Sequence, residues 1–278
     1  MVVSIKNHKV SVDGSPVEYV KSPYTGGPLS KKPKILVMHF TYGGTAASSA
    51  QWFKSPQNPG SSAHVVIERD GTIIQCVDFN TVAWHAGKSK YGDLVGLNQY
   101  SLGIELANWG YLQRVPDGWQ SYTQRRIAEP VLAAHRFGNP DGSSQPIGWE
   151  PYPEVQVQVA ANLARSLVDS YGIDTIVGHE DISRGRKWDP GPAFDLDRFR
   201  ALVFGGRGVD EDNFFEVTAS EGLNLRSVAS TAGVVLRVLP IGTRVEMHER
   251  SMNWFFVSVL NMAGRPEISG WVNSAFLK

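Results

Sequence analysis

The chain is short of several things, and each shortage removes a class of protein. It has one cysteine, Cys76, in 278 residues. No disulfide can form within it, so its stability must come from packing. It has no excess of either charge, since 27 Lys and Arg balance 27 Asp and Glu. That excludes a nucleic-acid partner held by bulk charge. No apolar run approaches the roughly 20 residues that a helix needs to cross a bilayer, so no membrane span is expected. The opening residues, Met1-Val2-Val3-Ser4-Ile5-Lys6, lack the apolar core of a signal peptide, so synthesis without an ordinary secretion signal is expected. Cys76 lies in the strand-like run Thr72 to Val77 and is expected to be a small core residue.

What remains is a globular composition, 42% hydrophobic and 19% charged, long enough for one large domain or two smaller ones. The apolar run Lys34 to Phe40 reads as a buried strand with His39 at its end. Ala63 to Ile67 and Thr72 to Val77, joined through Asp70-Gly71, read as a hairpin. Tyr100 to Leu106 is another short strand, and a helix interrupted near Pro130 is predicted over Ser121 to Arg136. Pro153 to Tyr171 reads as a strong helix, with Pro153 at its start, Val155, Val159, Leu163 and Leu167 on one face, and Gly172 ending it. Strands alternating with helices predict an α/β domain around a central mixed β-sheet flanked by helices. The Gly-rich, acidic stretch 205–212 reads as a linker. Closely spaced short strands follow over 213–278, with turns at Leu239-Pro240-Ile241-Gly242 and Ala263-Gly264-Arg265-Pro266, and predict a small all-β barrel.

The segment from Gly178-His179-Glu180 to Lys187-Trp188-Asp189-Pro190-Gly191-Pro192 concentrates the chemistry. Imidazole and carboxylate are the ligands zinc takes in hydrolytic sites. Pro-Gly-Pro fixes the backbone just after Asp189. If the run is extended, Lys187 and Asp189 face one pocket while Trp188 points away from it, into the core or against the second domain. A catalytic zinc site needs three protein ligands and an open position for water. His39, His179 and Asp189 supply that number and type, with His64 or His85 able to replace one of them on spacing alone. An Asp in such a loop also caps turns without any metal. The aromatic-rich stretch 109–153, with Trp109, Trp119, Tyr122, Trp149 and Tyr152, suits either a groove for glycan or peptide, or a core.

Five segments in order carry a resemblance. They are Val37-Met38-His39-Phe40-Thr41, Ala63-His64 through Asp70-Gly71, Ala83-Trp84-His85-Ala86-Gly87, Asn98 through Gly103-Ile104-Glu105-Leu106, and Gly178-His179 through Phe194. Over about residues 30–200 the chain resembles the zinc-dependent N-acetylmuramoyl-L-alanine amidases of the type 2 family, which includes peptidoglycan recognition proteins. The resemblance implies one zinc per chain on His39, His179 and Asp189, with Glu105 and Lys187 catalytic. It points to His64, Trp84, His85, Asn98 and Asn108 as substrate-binding, His85 on the substrate side or beside the ligands. Phe40 stands where many members carry another His or a Tyr. Residues 213–278 resemble a bacterial SH3-like, cell-wall-binding module through Gly222-Leu223-Asn224-Leu225-Arg226-Ser227, Leu239 to Val245, Asn253 to Val257 and Gly270-Trp271-Val272.

The implied reaction is hydrolysis of the amide joining N-acetylmuramic acid to L-alanine in peptidoglycan or muropeptides. Glu105 would act as the base, and Lys187 would stabilise the oxyanion beside zinc. Two other readings remain: a non-catalytic peptidoglycan sensor, and a zinc peptidase on the stem peptide. Two settings remain as well, cytoplasmic recycling of wall fragments or action on the wall after lysis or export.

Overall fold

The computed structural model describes residues 1–205, 214–251, 253–261 and 266–278. The chain divides into two compact units, Met1–Phe204 and Gly205–Lys278. Most of the expected linker, and residues 263–265 of the expected turn, lie outside the described residues.

The first unit is built on a six-stranded mixed sheet. In chain order its main elements are β1 (Ile35–Phe40), α1 (Ala46–Lys54), β2 (Val65–Ile67), β3 (Ile73–Gln75), β4 (Ser101–Leu106), α2 (Glu154–Tyr171), β5 (Thr175–Gly178) and α3 (Leu196–Phe204). The sheet order is β5–β1–β4–β2–β3, closed at one edge by Glu18–Tyr19. Strands β5, β1, β4 and β2 run parallel, while β2 and β3 form the antiparallel hairpin. Both faces of β1 are covered, which is why Ile35 to Met38 is an unbroken apolar run rather than an alternating one.

Helix α2 supplies the largest layer over the sheet. Pro153 stands at its N-cap, and Gly172 ends it in the left-handed conformation at φ 64°, as proline and glycine favour at the two ends. Val159, Leu163 and Leu167 are buried with Leu36, Met38, Leu102 and Ile104 in the main core. Val155 differs from expectation. It is 48% exposed and stands beside the Gly71 turn, while Gln156 and Val157 of the same turn face the sheet.

The helix predicted over 121–136 does not form. Ser121 to Arg125 makes a tight turn between Gly118–Gln120 and Arg126–Ile127, with Gln124 at φ 67°, and Val131–Ala133 pairs with Ile147–Trp149. Pro130 lacks the amide proton a helix needs and disfavours helical geometry at Glu129. The few apolar residues there are satisfied by short strands instead.

The second unit is a six-stranded antiparallel sheet. Its strands are β6 (Phe214–Glu216), β7 (Leu223–Arg226), β8 (Val235–Leu239), β9 (Arg244–Ser251), β10 (Trp254–Leu260) and β11 (Pro266–Asn273), in the order β6–β9–β10–β11–β7–β8. Its core gathers Val217, Leu223, Leu225, Leu239, Val245, Val257, Val259 and Val272.

Leu163 is fully buried in the main core. Leu163→Ala is expected to cost about 2–5 kcal/mol in urea denaturation of the full chain. A loss below about 1 kcal/mol would contradict this account of the core.

Candidate metal centre and cleft

The chemistry sits at the carboxyl ends of the parallel strands, where open α/β sheets bind ligands. His39 is the fifth residue of β1, and Glu105 is its register partner on β4. On the other side of β1, Gly178 pairs with Met38 and delivers His179 one residue later. Asp189 returns to the same point from the loop that follows. Gly178 permits that return, since a Cβ there would lie 2.8 Å from Pro190 Cδ.

The loop is stitched to the His179 turn by main chain and side chain together. The Glu180 amide donates to the Asp189 carbonyl at 2.9 Å. The buried Glu180 carboxylate accepts from Gly191 N at 3.0 Å, His135 Nε2 at 2.8 Å and Arg136 Nε at 2.8 Å. His135 and Arg136 fall in the span expected to be a helix; they stand in a loop, and His135 is buried. Glu180 was not singled out in the sequence, although its place beside His179 was the available signal.

Three acceptor atoms converge. His39 Nδ1 and His179 Nδ1 are 3.0 Å apart, and Asp189 Oδ2 lies 2.8 Å from the first and 2.9 Å from the second. All three residues are buried. His179 Nε2 lies 3.1 Å from the Ala86 carbonyl, which can only accept. The proton of a neutral His179 ring therefore sits on Nε2, and its Nδ1 lone pair faces the carboxylate. Burial and the neighbouring His179 push His39 down to about 4, so it is neutral at pH 7. Lone pairs and a carboxylate gathered out of water repel unless a cation sits among them. The donor set of two imidazoles and one carboxylate is the kind zinc takes when one position stays open.

Glu105 and Lys187 stand on the same cleft, which has a volume of about 640 Å³. Burial raises the Glu105 carboxyl well above its ordinary value; Asp189 adds to the rise and Lys187 opposes it. Glu105 Oε2 is buried without a hydrogen-bond partner. It is a carboxyl oxygen open to a proton.

Other residues expected at the site divide. Trp84 and His85 line the cleft. His64, Asn98 and Asn108 are not among the cleft-lining residues; each is buried and hydrogen-bonded within the fold. His64 is fully buried, its Nδ1 accepting from Gly103 N and its Nε2 donating to the Thr81 carbonyl, both at 3.0 Å. Asn98 Oδ1 accepts from the amides of His85 and Ala86. Asn108 ties Gly110 to the Glu150 carbonyl. Trp188 differs from expectation. It lines the cleft, with its ring near Tyr111 and Nε1 donating to the Gly138 carbonyl at 3.0 Å. Residues 184–186 form a turn and 187–189 belong to no strand, so strand alternation does not apply to them.

The aromatic-rich stretch splits between core and groove. Trp149 is 1% exposed, whereas Tyr122 is 49% exposed on the cleft. Tyr122 stacks on Tyr42 at 4.8 Å, and Tyr42 packs against Tyr111, also at 4.8 Å. Tyr111 belongs to the expected aromatic stretch, whereas Tyr42 and Trp52 lie outside it and are brought to the cleft by the fold.

Comparison with known proteins identifies the family of the first unit. A family model described as N-acetylmuramoyl-L-alanine amidase matches residues 29–192. The 1,6-anhydro-N-acetylmuramyl-L-alanine amidase AmpD of Salmonella typhimurium strain LT2 is 32% identical over 203 residues, covering 66% of this chain and 88% of the relative. The N-acetylmuramoyl-L-alanine amidase AmiD of Escherichia coli K12 is 29% identical over 166 residues, covering 58% of this chain and 50% of the relative. A solved structure of a selenomethionine AmpD derivative is similar at a TM-score of 0.49 and 28% identity, covering 72% of this chain and 98% of that one.

His64 yields a pH prediction. Burial pushes it from its ordinary 6.5 down to about 4, and Gly103 N already donates to its Nδ1. The unfolded chain takes up this proton as pH falls through about 6.5, and the folded chain resists it until about 4. The neutral ring's contribution is intact above pH 6.5 and lost progressively below it. The slope should reach about 1.4 kcal/mol per pH unit for this proton. His64→Gln keeps an acceptor and a donor and should flatten urea-unfolding stability between pH 6.5 and 4. Parallel profiles for variant and wild type would contradict the assignment.

Proposed function

Since the chain belongs to the N-acetylmuramoyl-L-alanine amidase family, we propose that it is a zinc-dependent amidase cutting the bond between N-acetylmuramic acid and L-alanine in peptidoglycan. The observation that carries this reading is the convergence of His39 Nδ1, His179 Nδ1 and Asp189 Oδ2, beside a Glu105 oxygen that has no partner. One zinc ion per chain is assigned to those three atoms. Bound there, zinc supplies Lewis acidity and lowers the pKa of water to about 7.

The rest of the chemistry falls to side chains. Glu105 takes the proton of the attacking water and returns it to the alanine nitrogen as the amide C–N bond breaks and a C–O bond forms. Its raised affinity for a proton suits holding that proton between the two steps. Lys187 faces the oxygen on which negative charge develops. The aromatic side chains of the cleft offer flat apolar faces to a sugar ring and its peptide.

We assign residues 1–204 to the amidase domain, 205–212 to the connection and 213–278 to an SH3-like module that tethers the enzyme to its wall. The second unit lies outside the span matched to the family, and a tether supports a polymeric substrate.

In wall digests by the full chain, mass spectrometry should find free N-terminal L-alanine on released peptides. Cleavage inside the stem peptide would replace the amidase reading with a peptidase. Binding without cleavage would replace it with a sensor. Lys187→Ala should keep zinc and lose about 100- to 1,000-fold in rate. Glu105→Gln should keep zinc and lose about 100- to 10,000-fold, and wild-type turnover in it would remove Glu105 from catalysis. His179→Ala should lose zinc by elemental analysis; full occupancy would sink the ligand assignment.

A further inference from the structure

The third imidazole of the cleft, His85, stands outside the cluster but touches it. His39 Nε2 lies 3.0 Å from His85 Nδ1, and His85 Nε2 lies 3.3 Å from Ser101 Oγ. Ser101 Oγ donates in turn to the Leu97 carbonyl at 2.7 Å. The three side chains are buried.

Two rings joined nitrogen to nitrogen share one proton in the contact, so this chain of hydrogen bonds can run in only two directions. The Leu97 carbonyl decides between them, because it can only accept. It takes the single hydroxyl proton of Ser101. Ser101 Oγ is then left to accept from His85 Nε2–H. His85 Nδ1 is left to accept from His39 Nε2–H, and His39 Nδ1 is left bare. The short Ser101–Leu97 contact and the longer Ser101–His85 contact agree with this direction.

The partner ligand is set by the next residue. His179 Nε2 donates to the Ala86 carbonyl at 3.1 Å, which bares its Nδ1 in the same way. The dipeptide is itself fixed. Asn98 Oδ1 accepts from both of its amides, at 3.1 and 2.8 Å. The His85 ring lies on Gly103, where a Cβ would be 2.6 Å from the ring.

We infer that His85-Ala86 is a tautomer selector for both ligating imidazoles, with His85 a positioning residue that Ser101 orients and that keeps His39 Nδ1 free for a metal. The inference rests on the zinc reading above. Its physical need is clear from the alternative. Without an acceptor at Nε2, His39 can move its proton to Nδ1 and donate to the Asp189 carboxylate 2.8 Å away. That charge-assisted hydrogen bond would occupy the ligand position.

The test is zinc affinity of the full chain, measured by competition with a chromophoric chelator. Outer partners of this kind typically govern about 10- to 100-fold in metal affinity. His85→Ala should lose that much, and Ser101→Ala less. His85→Gln should recover most of it, because its amide can accept from His39 and donate toward Ser101. In the zinc-loaded wild type, nitrogen-resolved NMR should find the His85 proton on Nε2, a readout that does not depend on any variant folding. Finding it on Nδ1 would overturn the inference, as would wild-type affinity in His85→Ala. A wild type that takes up no zinc would instead overturn the metal reading beneath it.

Discussion

Three buried ligand atoms are held together at the base of a cleft. His39 Nδ1, His179 Nδ1 and Asp189 Oδ2 lie within 3.0 Å of each other, and each presents electron density to the others. Removing such groups from water costs several kcal/mol unless they are paired or coordinate a metal. The fold around them supplies the force that keeps them there, and a divalent cation bound among them would relieve it.

That constraint explains features that look separate. The parallel strands bring His39, Glu105 and the entry to His179 to one edge of the sheet in register. Gly178 leaves room for Pro190, and Glu180 ties the His179 turn to Gly191 beyond Asp189. On the far side, Asn98 holds the His85-Ala86 backbone, and Gly103 gives the His85 ring its place. These residues touch no reacting atom, yet each fixes where a ligand nitrogen or oxygen points. Precision of that kind comes from backbone and buried hydrogen bonds, which leaves the cleft wall free to be aromatic and exposed.

Much of this was legible in the sequence, for physical reasons. A strand buried on both faces is an unbroken apolar run, so β1 and its terminal His39 stood out. Pro153 and Gly172 marked the ends of α2 because each residue suits one end of a helix. The spacing of His179, Lys187 and Asp189, with Pro-Gly-Pro after it, marked a fixed polar loop. What failed had equally physical reasons. Over 121–136 a helical pattern was read into residues that Pro130 and weak periodicity commit to strands. Trp188 was placed by alternation in a segment that turns. His64, Asn98 and Asn108 carry polar side chains that sequence cannot assign to a cleft or to the scaffold below it. Which role each takes depends on partners such as Gly103, Ala86 and Glu150, distant along the chain.

The most direct measurement of the central claim is X-ray absorption at the zinc edge of the zinc-loaded full chain. The account predicts one zinc per chain, with two imidazole ligands and the remaining ligands light oxygen donors. A third imidazole would bring His85 or His64 into the shell, and a sulfur ligand would implicate Cys76; either result would contradict it.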